Sequence, residues 1–142
     1  MARFDIGGLD DLSKDLASLA SLPDEVLDGI LDAEADVILQ AQRSEIGSQW
    51  RGPYSQEISA KALKKGPVKK GKGGRSVSVY PQGTRTRGKK RIRNAEIAFI
   101  NEYGKRGQPG RPAILTANEQ AAGKATEAGE KVYHAYLDSK NL

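Results

Sequence analysis

Residues 94–112 read NAEIAFINEYGKRGQPGRP, and this stretch decides the predicted fold. Between Ala95 and Tyr103, a period of two places Ile97, Phe99 and Tyr103 on one face, which predicts a β-strand. The glycines and polar residues that follow the strand predict a turn. Pro112 then occupies a favoured first-turn position, so we expect a long, alanine-rich helix over residues 112–138.

A second strand is predicted earlier in the chain, at residues 75–80, where Val77 and Val79 share one face. The two strands would pair as an antiparallel hairpin with a long basic tip. Residues 57–63 are ambiguous between a short helix and a strand. We therefore expect a small antiparallel β-sheet within residues 58–104.

Two helices are predicted before the sheet. Residues 9–20 place leucine at positions 9, 12, 16 and 19, which is the spacing of an amphipathic helix. Pro23 marks the start of a second helix, whose apolar stripe continues to about Gly47. A helical part over 1–47, a β part and a C-terminal helix predict an α+β fold in one domain, 1–142.

The composition of the 142 residues excludes several classes of protein. The chain has no cysteine, which excludes a disulfide scaffold, a thiolate zinc finger and a cysteine nucleophile. It contains no apolar run of about 18 residues, and its first residues lack the hydrophobic core of a signal peptide. We therefore expect a soluble protein made in the cytosol, with no membrane partner.

Two motifs suggest catalysis, and both are incomplete. Residues 66–73, GPVKKGKG, match seven positions of a phosphate loop but have Gly73 where serine or threonine would bind magnesium. His134, the only histidine, is four residues before Asp138 on the last helix, but no nucleophile elbow accompanies them. We predict that the chain is not an enzyme and has no catalytic, cofactor-binding or metal-binding residues.

Charge is segregated along the chain. Residues 1–36 carry ten acids and two bases, whereas residues 61–93 carry thirteen bases and no acid, in a chain of net charge +5. The basic charges are concentrated in two glycine-containing segments, 64–74 and 82–93, which predict long, mobile loops. Four interpretations remain open: contact between the two parts within one subunit, contact across subunits, contact with a polyanion, or simple solvation.

Four acids, Asp24, Asp28, Asp32 and Asp36, form an i, i+4 row on the second helix. Like charges at this spacing repel by about 0.2–0.5 kcal/mol per pair, so the row favours a basic partner lying along it. A calcium site is the weaker interpretation, because a straight helix lacks the loop geometry and backbone carbonyls that calcium prefers.

The basic segments favour contact with duplex phosphates, because such contact needs only charge. Surfaces that bind single strands interleave stacking aromatics with bases, and here Tyr80 is the only aromatic. An alternative function is therefore non-sequence-specific nucleic-acid binding through residues 61–93. The candidate contacts with DNA or with the lumen of a ring are Lys69, Lys70, Lys72, Arg85, Arg87, Lys89, Lys90, Arg91 and Arg93.

The stretch quoted above also resembles a known family. Its Glu102-Tyr103-Gly104 and Arg111-Pro112 segments resemble the minor tail, or tail-completion, proteins of long-tailed bacteriophages and prophages. Residues 77–84, VSVYPQGT, look like the Gram-positive branch of that family. The chain departs from the pattern at Gly110, where alanine is usual, and at Ala113, where an aromatic residue is usual.

The resemblance implies a structural virion protein of the phage neck. Such a protein would complete the tail and join it to the head as a closed ring of six or twelve copies around the DNA channel. The implied partners are further copies, other neck, connector and tail-tube proteins, and possible duplex DNA in the channel. The implied location is the head–tail junction of the virion, and the bacterial host cytoplasm during assembly.

A chain that is acidic at one end and basic in the middle suits the head-to-tail contacts that close rings. We therefore predict that acids of residues 1–36 face bases of 61–93 across the subunit boundary, or that the basic loops point into the lumen or onto adjacent rings. Arg111 has a planar fork that suits a neighbour's carboxylate. The expected interface residues are Asp24, Asp28, Asp32, Asp36, Glu102, Tyr103 and Arg111.

Overall fold

The computed structural model describes residues 22–140, apart from the side chains of Pro53 and Tyr54. The helix predicted at residues 9–20 lies outside this range. The described residues form helices and short strands, as the α+β prediction requires. The helices are α1 (Asp24–Gln49), α2 (Pro53–Glu57), a π-helical turn (Ile58–Ala62), α3 (Asn94–Tyr103) and α4 (Ala113–Ser139). The strands are β1 (Leu63–Lys65), β2 (Lys69–Gly71), β3 (Gly74–Ser76), β4 (Val79–Pro81), β5 (Thr84–Arg87), β6 (Lys90–Arg93), β7 (Gly104–Lys105) and β8 (Gln108–Pro109).

Helices α1 and α4 pack side by side in opposite directions. The Gln42 amide donates to Asn118 Oδ1 at 2.7 Å, and Gly29, towards one end of the pair, faces Val132. The residues of α4 at this contact are small, and a Cβ on Gly129 would require the flexible Glu34 carboxylate to shift. The buried face of α4 is Ala113, Ala117, Ala121, Ala125 and Gly129, which confirms the predicted alanine-rich helix.

The largest buried side chains lie where α1 ends. Trp50 is almost fully buried there, and its indole N–H donates to the carbonyl oxygen of Arg111 at 2.9 Å. Ile46, Ile58 and Leu63 pack in the same cluster, which also receives residues from α3 and from the start of α4. The core therefore joins both long helices to the strands.

The strands form four separate antiparallel pairs: β1–β4, β2–β3, β5–β6 and β7–β8. The segments predicted as long loops, 64–74 and 82–93, are thus largely the β2–β3 and β5–β6 hairpins. Glycines permit their tight turns, because Gly74 and Gly88 adopt φ values of 113° and 62°. The prediction of loops was wrong because composition revealed the turns but not the pairing on either side.

The strand predicted between Ala95 and Tyr103 is also wrong, because these residues form α3. The buried positions of α3 are Asn94, Ile97, Ala98 and Glu102, whose spacing follows the helical period and not alternation. The predicted partner strand at 75–80 is divided between β3 and β4, which pair with β2 and β1 respectively. The predicted two-strand hairpin therefore does not form.

Candidate interaction surfaces

The second half of the acidic row is paired with a base of the same chain. Lys65 Nζ lies 2.8 Å from Asp32 Oδ1 and 2.7 Å from Asp36 Oδ1, so one ammonium bridges two consecutive turns of α1. Hydrogen bonds to Asp32 and then to Asp36 raise the pKa of Lys65 above its ordinary value of 10.5. Strand β1 is thereby fixed to α1.

Arg75 plays the same role for the first half of the row. Its guanidinium nitrogens lie 2.7 Å from Asp24 Oδ2 and 2.5 Å from Asp28 Oδ1, which fixes β3 to the first turns of α1. The expected basic partner along the row is therefore present, but it belongs to the same chain. This geometry agrees with the interpretation of contact within one subunit, and the predicted contact across a subunit boundary stays a prediction.

Glu102 is a buried cap of α4. Its two carboxylate oxygens accept the backbone N–H groups of Ile114 and Leu115, each at 2.9 Å, and only 8% of the residue is exposed. A negative charge is favourable there because the helix dipole is positive at its N-terminus. Within the chain, the Glu102 carboxylate holds α3 to α4, and the predicted interface role of Glu102 stays a prediction.

Arg111 is also engaged within the chain. Its side chain donates to the carbonyl oxygen of Gln49 at 3.0 Å. Its backbone N–H donates to the backbone carbonyl oxygen of Asn101 at 2.8 Å. Together with the bond from the Trp50 indole, these contacts connect the ends of α1 and α3 to the start of α4. Its fork therefore binds the backbone of its own chain, where we expected a neighbour's carboxylate.

The backbone reverses direction between α3 and α4, and the two sides of this turn lie very close together. Gly104 adopts a φ of 86°, and a Cβ on this residue would lie 2.5 Å from the backbone nitrogen of Gly110. A Cβ on Gly110 would in turn lie 2.5 Å from the carbonyl carbon of Tyr103. Ala113 is fully buried just beyond this point, so the two departures from the family pattern suit the local packing of this chain.

An exposed apolar groove lies where α3 meets the start of α4. Three large side chains on its rim are mostly in solvent: Tyr103 is 72% exposed, Phe99 61% and Leu115 55%. The two aromatic rings are in contact, with centroids 4.8 Å apart. The groove has a volume of about 290 Å³ and includes Pro81 and Ile114 in its lining. We call this surface, defined by Phe99, Tyr103, Ile114, Leu115 and Pro81, the aromatic groove.

Sequence reasoning found Tyr103 but missed the rest of the aromatic groove. Phe99 and Tyr103 are four residues apart, and they would share a face in a strand as well as in a helix. Their rings are in contact because the segment is helical, which brings residues i and i+4 together on successive turns. Leu115 joins them from α4 because the tight turn at Gly104 brings the start of α4 against α3. The missed signal was the i, i+4 spacing of two aromatics.

The candidate DNA contacts lie on two different hairpins. Arg85 is removed from the set, because its largely buried guanidinium lies 2.7 Å from Glu57 Oε2. Arg87 lies opposite Lys90 at the end of the β5–β6 ladder. The other predicted contacts are exposed: Lys69, Lys70 and Lys72 on β2–β3 and its turn, and Lys89, Lys90, Arg91 and Arg93 on β5–β6 and its turn.

The described residues do not complete either of the two incomplete catalytic motifs. Residues 66–73 cover β2 and the turn to β3, so no helix follows the phosphate-loop-like sequence. His134 is exposed on α4, with its ring 5.7 Å from that of Tyr133. Within residues 22–140, no cluster of three acidic, histidine or cysteine side chains is arranged to hold a metal ion. In the same range, no helix has the length and apolar character needed to cross a membrane.

No protein-family model, curated protein or solved structure matches the chain. The resemblance to tail-completion proteins therefore rests on the residues quoted above and stays a prediction.

Proposed function

We propose that the chain is a structural virion protein of the phage neck, which completes the tail and joins it to the head as a homo-oligomeric ring around the DNA channel. The aromatic groove is the observation that carries the proposal. Two solvent-exposed aromatic rings lie on the stretch 94–112 that resembles tail-completion proteins, and the exposed Leu115 lies just beyond it. An exposed apolar cluster of this kind is typical of a protein–protein contact.

Covering the aromatic groove would contribute apolar free energy to assembly. Tyr103 and Phe99 are 72% and 61% exposed. Covering the two side chains would remove on the order of 200 Å² of surface from water, since each aromatic residue can bury 150–250 Å². At ~25 cal/mol per Å², this corresponds to about 5 kcal/mol before the costs of association.

The contact between subunits is expected to depend on apolar packing more than on charge. The four acids of the row are already paired with Lys65 and Arg75 of their own chain. Salt screens exposed charges but does not weaken apolar contacts. A ring held through the aromatic groove should therefore persist at high salt, unlike the charge-driven ring that the sequence suggested.

Analytical ultracentrifugation of the full chain tests this proposal. We expect the parent to sediment as a closed oligomer at both low and high salt, and F99S/Y103S to sediment as a monomer with unchanged helix content. Tyr80→Ser is the matched control, because Tyr80 is 46% exposed on β4 and is absent from the groove lining. A parent that is monomeric at every concentration, or an F99S/Y103S variant that assembles like the parent, would contradict the proposal.

A further inference from the structure

We infer that the two basic hairpins, β2–β3 and β5–β6, bind the phosphates of duplex DNA. The inference rests on the proposed neck function for the place where DNA is met, the channel of the ring. Binding of duplex DNA by the hairpins depends on their charge and shape, and it does not require the chain to form a ring.

Of the thirteen bases in residues 61–93, three form ion pairs with acids of the chain and seven others are exposed on the two hairpins. Lys65, Arg75 and Arg85 are neutralised by acids of α1 and α2. Within the part of the chain that the structure describes, no carboxylate lies within ion-pair distance of the seven exposed bases on the two hairpins. Those seven are Lys69, Lys70, Lys72, Lys89, Lys90, Arg91 and Arg93.

The β5–β6 hairpin presents one face to the protein and the other to solvent. Arg85 is directly opposite Ile92 in the register; Arg85 pairs with Glu57, and Ile92 packs against the core. Residues opposite each other in an antiparallel pair share a face, so Arg91 and Arg93 lie on the other face. Lys90 shares the face of Ile92 but is exposed, because it lies at the end of the ladder next to the turn. The core contact thus holds the hairpin in place while its free face and its turn carry positive charge.

The β2–β3 hairpin is held in a similar way. Its strand β3 is fixed to α1 by Arg75, and the neighbouring β1 is fixed to α1 by Lys65. Lys69, Lys70 and Lys72 follow β1 along the chain and are exposed. The two ion-paired bases therefore position this hairpin, and its three lysines remain for an external anion.

The shape of the hairpins favours B-form DNA over other nucleic acids. The major groove of B-DNA admits a two-stranded β-ribbon, whereas that of A-form RNA is too narrow and deep for side chains to enter. Single strands are usually bound by stacking on aromatic rings. Tyr80, the one aromatic residue between positions 58 and 98, lies on β4 and not on either hairpin.

Fluorescence anisotropy with a mixed-sequence duplex of about 30 base pairs tests the inference, at NaCl concentrations from about 50 mM to about 200 mM. We expect the full-length parent to bind with a steep salt dependence. K89Q/K90Q/R91Q and K69Q/K70Q/K72Q should each bind more weakly. The plot of log K against log salt has a negative slope, and each variant should make this slope shallower. The expected change is about 1 for each phosphate contact that the variant loses.

The matched control is K124Q/K131Q/K140Q, which removes the same charge from exposed positions at α4 and its end. We expect this control to keep the salt slope of the parent. Three results would overturn the inference. They are no binding of the parent at about 50 mM NaCl, a salt slope that becomes equally shallow in the control, and tighter binding of the parent to a single strand or an RNA duplex than to duplex DNA.

The result is separable from the test of the proposed function. The aromatic groove lies outside both hairpins, so F99S/Y103S addresses assembly while the lysine and arginine variants address DNA. If the parent binds duplex DNA but never assembles, the neck proposal fails and the DNA inference stands. If the parent assembles but the hairpin variants bind DNA like the parent, the DNA inference alone fails.

Discussion

Glu102 shows how one residue fixes the geometry of the chain. Its carboxylate caps the first turn of α4 through two N–H groups, at 2.9 Å each. We expect Glu102→Ala to lower the free energy of unfolding by about 1–3 kcal/mol, because both donors lose a charged acceptor. Glu102→Gln retains one acceptor oxygen and should be destabilised less. Urea denaturation followed by circular dichroism measures both, and a Glu102→Ala variant as stable as the parent would show that the cap is unimportant.

The role of Glu102 could not be predicted from local sequence. Most caps involve residues within one turn of the helix they cap, whereas Glu102 precedes the first N–H that it accepts by twelve residues. Its position depends on the sharp reversal at Gly104, where the backbone approaches Gly110. The resemblance drew attention to Glu102 and Gly104, but their functions in the fold emerged only from the structure.

At the scale of elements, the contact between β1 and α1 predicts that the free energy of unfolding depends on pH. Asp32 and Asp36 raise the pKa of Lys65 above 10.5, so the folded state favours the charged ammonium. The stabilisation is fully present below the ordinary pKa of lysine and disappears as pH rises through the higher pKa of the folded state. Its size is about 0–1 kcal/mol, because both carboxylates are exposed to solvent.

The matching experiment compares the parent with Lys65→Met by urea denaturation across pH. The difference in unfolding free energy should be constant from about pH 7 to about pH 9 and should shrink above pH 10.5. Comparing the two proteins at each pH cancels the titration of other groups. A difference that grows as pH rises would contradict the assigned ion pairs.

The elements that the sequence predicted well are those with long periodic patterns. Helices α1 and α4 begin next to Pro23 and Pro112, as expected, and the predicted ends were within two residues. Helix α3 was missed because a ten-residue segment is too short to distinguish the two periods when apolar residues occur on several faces. The β2–β3 and β5–β6 hairpins were missed because strand pairing is not encoded in composition.

At the scale of the whole molecule, the structure separates three functions that the charge pattern had combined. Acid–base pairing along α1 organises the fold, the aromatic groove is an exposed apolar surface, and the two basic hairpins carry seven exposed bases. Of the predicted interface residues, Tyr103 is 72% exposed, whereas the others form ion pairs, cap α4 or hydrogen-bond to the backbone of their own chain. Residue types alone could not show this separation, because it depends on which charges the fold has already neutralised.

Copy number per particle tests the central claim most directly. Isotope-dilution mass spectrometry would be applied to the purified, salt-washed tailed particles in which the neck proposal places the chain. We expect a fixed ring number of about six or about twelve copies, retained after washing at high salt, because a closed ring repeats one interface a set number of times. Particles that lack the chain, or that carry it at the level of the capsid protein, would contradict the account.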